Sequence, residues 1–95
     1  MYQILREQIV KRAKQRHECN ATLFLFAGMN LRELIGTIKP TFSEAKIIIK
    51  AHESPYIEKG ESYLKQIGIY DGEFHVTKSR KAIHDICVKY ALYFE

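Results

Sequence analysis

The residues best equipped for chemistry are two histidine–cysteine pairs, His17-x-Cys19 and His84-x-x-Cys87. Two imidazoles and two thiolates are suitable donors for a tetrahedral zinc ion. His-x-Cys is not a usual zinc spacing, however, and Cys87 falls inside an apolar helical stripe, so no metal site is expected. A thiol in such a stripe is normally buried and inert, which removes Cys87 as a nucleophile. His52 and His75 read as half-buried or surface side chains. The carboxylates are scattered singly, and no acid/base pair can be read from their spacing. The chain contains no glycine-rich phosphate loop, no Gly-x-Ser-x-Gly elbow and no HExxH pattern. The expectation is a non-catalytic protein without a cofactor.

What remains is electrostatic. The formal net charge is +4 and the pI about 9.1. A positive balance favours an acidic partner such as nucleic acid. One group of cations and hydroxyls is concentrated at Lys39, Thr41, Ser43, Lys46 and Lys50. A second group comprises Arg12 and Arg16, and a third Lys78, Arg80 and Lys81.

The elements that position the first group carry the strongest local signals. Asn30-Leu-Arg-Glu33 and Thr41-Phe-Ser-Glu44 are both capping-box patterns, in which a polar side chain takes a backbone N–H and a glutamate reaches back to the cap. Lys39-Pro40 stands between them and should end the first helix near Ile38. Two short helices, 31–38 and 42–53, joined by a tight turn follow from this. On the second, Phe42, Ala45, Ile48, Ile49 and His52 form the expected buried stripe, with Ser43, Lys46, Ile47 and Lys50 facing outward. A rival reading takes Ala45–Ala51 as a strand by its alternation, giving a βαβ unit with a strand at 22–27.

Around this pair, residues 2–18 read as a helix with a basic face, and Thr22–Phe26 as a short buried strand. Ser54-Pro55 reads as the start of a helix that runs to Ile67. Asp71-Gly72 marks a type I′ hairpin within residues 69–76. Thr77 or Ser79 would cap a last helix ending near Phe94, made aromatic by Tyr90, Tyr93 and Phe94.

The fold class expected is α+β: a mainly helical single domain over residues 1–95, with a helix-turn-helix-like pair and a small antiparallel sheet. The alternative is a small α/β fold with the βαβ unit. The order helix, strand, helix, helix, hairpin is similar to that of winged-helix domains. It departs from them in the helix at 55–67, and in Ile35 and Lys39, which stand where such motifs prefer a small residue and glycine. The resemblance implies DNA binding by the second helix of the pair.

The function expected is therefore a small DNA-binding regulator. Lys39, Thr41, Ser43, Lys46 and Lys50 would meet the duplex, while Arg12, Arg16, Lys78 and Lys81 would hold phosphates. The alternative is a non-catalytic protein-interaction module, with the aromatic C-terminal helix as a homodimer or partner contact. RNA binding on a sheet would require exposed aromatics, whereas Tyr70, Phe74 and Phe24 read as core. No apolar run is long enough to span a membrane. No secretory signal is visible, so a cytoplasmic protein with reduced thiols is expected.

Overall fold

The computed structural model describes residues 3–92. In chain order the elements are β1 (Gln3–Val10), β2 (His17–Glu18), α1 (Asn20–Leu25), α2 (Leu31–Ile38), α3 (Phe42–Glu53), β3 (Tyr56–Ile57), β4 (Tyr63–Tyr70), β5 (Glu73–Ser79) and α4 (Lys81–Lys89). Of the described residues about 39% are helical and 30% in strands, a mixed α+β fold in which they form no closed barrel.

The strands β1, β4 and β5 form an antiparallel sheet with β4 in the centre, and β2 and β3 form a separate two-stranded ladder. The β4–β5 hairpin closes through Asp71 at φ 51° and Gly72 at φ 78°. Two successive positive φ angles make the type I′ turn that Asp-Gly favours. Both capped helices also have the boundaries expected of them. The Asn30 side chain accepts the Glu33 N–H at 2.9 Å. The Thr41 hydroxyl accepts the Glu44 N–H while the Glu44 carboxylate accepts the Thr41 N–H.

The winged-helix-like, mainly helical arrangement is not what the chain adopts, and neither is the βαβ alternative. The N-terminal segment is a strand because β4 supplies an edge for it to pair with. A β-bulge leaves Leu5 unpaired between Ile4, opposite Gly68, and Arg6, opposite Ile67. The extra residue interrupts the period-two alternation, and the remaining apolar spacing imitates a helix. Thr22–Phe26 is not a strand but lies largely in α1, whose Ala21, Thr22 and Leu25 are buried while Leu23 and Phe24 are exposed. Among the described residues no strand therefore lies between α1 and α2, and all sheet pairings are antiparallel.

The helix expected from Pro55 to Ile67 is also absent. Ser54 instead ends α3, its N–H donating to the Lys50 carbonyl at 2.9 Å. Glu58–Glu61 then form a turn closed by the Glu61 N–H on the Glu58 carbonyl, with Gly60 at φ +92° in a conformation that interrupts a helix.

The apolar core lies among the helices. Leu25, Leu34, Ile48, Ile57, Ile83 and Cys87 are fully buried there. The helix α3 packs on α2 and α4, and α1 packs on α4 and β5. The sheet meets this body through β5, which packs on α1 and β2; the described residues extend over 35 × 32 × 17 Å. The end of β5 is held by α1, where the Asn20 side chain accepts the Lys78 N–H and the Ser79 hydroxyl accepts the Ala21 N–H.

Candidate nucleic-acid interface

The helix α3 carries the largest share of the expected site. Ser43, Lys46 and Lys50 are exposed, and their spacing of three and four residues puts them on one face. The buried stripe of α3 is rotated from the expected one. Ile48 and Ala51 are buried with Glu44 and Ile47 partly covered, whereas Phe42 is 77% exposed and Ile49 is also exposed. Packing on α2 and α4 from two sides selects this orientation. Phe42 consequently joins the outward face, with the Lys46 ammonium 4.6 Å from its ring centroid.

Glu44, which would oppose an anionic partner at this helix end, is turned inward. Its carboxylate accepts from Lys89 Nζ at 2.8 Å and from the Tyr90 hydroxyl at 2.6 Å. The Lys89 contact, then Tyr90, then the Thr41 N–H hold its pKa down at about 2. The same contacts raise the pKa values of Lys89 and Tyr90. Tyr90 is thus docked on α3; Tyr93 and Phe94, the rest of the proposed homodimer contact, lie outside the described residues.

Lys39 sits at the left-handed C-cap of α2, φ 48°, exposed just before the Thr41 cap of α3. Arg12 lies on the exposed loop between β1 and β2. That loop is clipped at Ala13, whose N–H donates to the Glu61 carbonyl at 2.8 Å and whose carbonyl accepts the Gly60 N–H at 2.9 Å. The Arg80 guanidinium, with a smaller contribution from the Glu58 backbone, holds the Glu61 carboxyl below the ordinary range against the effect of burial.

Three of the expected phosphate contacts are already engaged. Arg16 donates from Nε to Glu58 at 2.8 Å, and its guanidinium lies 4.1 Å from the Tyr56 ring centroid. Lys81 is paired with Asp85 at 2.8 Å, one turn along α4. Lys78 is half-buried on the sheet, its ammonium 3.4 Å from His17 Nδ1. Arg80 has a structural task, donating to the Glu61 carboxylate and to the carbonyls of Ser54 and Tyr56.

Cys19 and Cys87 are both buried, the Cys19 sulfur accepting the Arg80 N–H at 3.3 Å and the Cys87 thiol donating to the Ala21 carbonyl at 3.5 Å. Among the described residues no group of three or more His, Cys, Asp or Glu side chains could hold a metal ion. No helix among them is long and apolar enough to cross a membrane.

One exposed group went unnoticed in the sequence. Phe74 is 73% exposed on β5, contrary to its reading as core, and Arg6 and Lys65 lie on the neighbouring strands. The alternation Lys65, Ile67, Ile69 against Phe74, Val76, Lys78 was available as a signal, once the hairpin register was drawn. No family model, curated protein or solved structure matches this chain.

Proposed function

We propose that this protein binds duplex nucleic acid, as a small DNA-binding regulator, through the outward face of α3. The observation that carries this reading is the division of charge on that helix. Ser43, Lys46 and Lys50 are presented together and Glu44 of the first turn is withdrawn and neutralised by Lys89, which leaves Glu53, exposed in the last turn, as the acid of α3 that faces out. Lys46 and Lys50 would act as point charges on phosphates, releasing condensed counterions. Thr41 and Ser43 offer hydroxyl donors at the start of the helix, where the dipole also favours an anion. Arg12, exposed on the clipped loop between β1 and β2, would add a contact that sets position rather than sequence.

The test is anisotropy of a labelled duplex titrated with the protein at several salt concentrations. Each phosphate contact contributes about −0.9 to the slope of log K against log salt. The double variant Lys46→Glu, Lys50→Glu should lower that slope by about 2 and abolish tight binding. Arg16→Ala should leave it unchanged, because Arg16 is committed to Glu58. An unaltered affinity in the lysine double variant would refute the assignment.

A further inference from the structure

The sheet register separates charge by face. Cross-strand partners project to the same side, and successive residues to opposite sides. Gln8, Lys65 and Lys78 form one row; Arg6, Ile67 and Val76 the next; Gln3, Ile69 and Phe74 the last. These rows share one face. The carboxylates borne by the sheet, Glu7 and Glu73, fall on the other, opposite Gln66 and Tyr70. The first face is therefore cationic without an opposing acid, and it carries an exposed apolar strip. Phe74 is 73% exposed and Val76 52%. At about 3.3 Å per residue and about 4.8 Å between strands, the three rows cover roughly 13 by 10 Å.

The charge decides what could lie there. A second copy stacked face to face would bring Arg6, Lys65 and Lys78 against their own images, an arrangement that repels. Duplex nucleic acid offers phosphates but keeps its bases stacked inside, leaving Phe74 without a partner. A single strand offers both phosphates for the cations and unstacked bases for an aromatic ring.

We infer that this sheet face binds single-stranded nucleic acid, with Phe74 stacking on a base and Arg6 and Lys65 taking phosphates. The site is separate from the α3 surface and does not depend on it. Phe74 and Val76 are adjacent positions on this face of β5, so a base on Phe74 would extend over Val76 and Ile67.

The experiment is anisotropy of a short labelled oligothymidylate, and of a duplex of equal length, with the full chain at low and moderate salt. Phe74→Ala should weaken single-strand binding about 5- to 160-fold, the range for losing one base–aromatic stack. Its salt slope should not change, because no charge is lost. Lys65→Gln should lower the slope by about 0.7. Phe74→Trp should restore binding, which a merely structural role of the ring would not allow. Thermal melting of each variant checks the fold. The inference is overturned if oligothymidylate fails to bind at low salt, or if Phe74→Ala binds it like the wild type. It is also overturned if Phe74→Ala changes only self-association or capture of an acidic peptide. Loss of duplex binding confined to the Lys46, Lys50 variant, with oligothymidylate unaffected, separates this site from the α3 reading.

Discussion

Replacing Arg80 by alanine should destabilise the fold by about 2–4 kcal/mol. Its side chain is 16% exposed and binds both oxygens of Glu61, at 3.0 and 3.1 Å. It also donates to the Ser54 and Tyr56 carbonyls, each at 2.6 Å. One guanidinium thus joins the start of α4 to the end of α3, to β3 and to the turn before β4. A hydrogen bond to a charged group contributes about 1.5–3 kcal/mol, but these four are not additive. Glu61 is 37% exposed and would recover water, so its share is discounted for solvent screening.

A domain of this size has about 5–15 kcal/mol in total. The loss should lower the urea midpoint by about 2–4 M for a slope near 1 kcal/mol/M. Arg80→Lys should recover less than half, because a single ammonium cannot reproduce the planar fork. A double-mutant cycle with Glu61→Gln should give a coupling of about 1 kcal/mol. A midpoint displaced by less than about 0.3 M, or strictly additive variants, would refute the view that this guanidinium holds the three elements together.

Other perturbations test the account locally. Glu44 is held from 4.5 down to about 2, so its stabilisation is complete above the ordinary value and is lost as pH falls through the folded value. Glu44→Gln should therefore flatten the pH dependence of thermal melting between about 4.5 and 2, and an unchanged acid limb would count against the Lys89 and Tyr90 contacts. Gly72→Ala, at φ +78°, should cost about 1 kcal/mol in chemical denaturation even though a Cβ there would meet nothing within 4 Å. Equal stability would mean that the turn relaxes to another type. Thr22 Oγ1 is buried without a hydrogen-bond partner among the described residues, so Thr22→Val should stabilise by about 1 kcal/mol, read as a higher melting temperature. A clear loss would reveal a partner for that hydroxyl.

The elements legible in the sequence are those whose information is local. The caps at Asn30 and Thr41, the Lys39-Pro40 break and the Asp-Gly turn act within a few residues of themselves, and α2, α3 and the β4–β5 turn follow from them. The elements that were misread depend on distant partners. Gln3–Val10 is a strand because β4 lies alongside it, through contacts such as Gln66 Nε2 to Glu7, 59 positions apart. The bulge at Leu5 then hides the alternation. Asn20–Leu25 is a helix whose Ala21 N–H finds Ser79 rather than a local cap, so nothing nearby announced it.

The candidate sites divide in the same way. Lys46 and Lys50 share a face by helical spacing alone, and this was readable. That Glu44 turns away from them depends on α4, and Phe74 joins Arg6 and Lys65 only after three distant strands have paired. Arg16, Lys78 and Lys81 show the converse: a cation visible in sequence carries no sign of the Glu58, His17 or Asp85 that already occupies it.

The most direct test of the central claim is the salt-dependent titration of a labelled duplex with wild-type protein and with the Lys46→Glu, Lys50→Glu variant. Wild-type binding should weaken steeply with salt, and the variant should fold normally but lose about two phosphate contacts from its slope. Wild-type protein that ignores duplex at low salt, or a variant that binds as well as wild type, would contradict that claim.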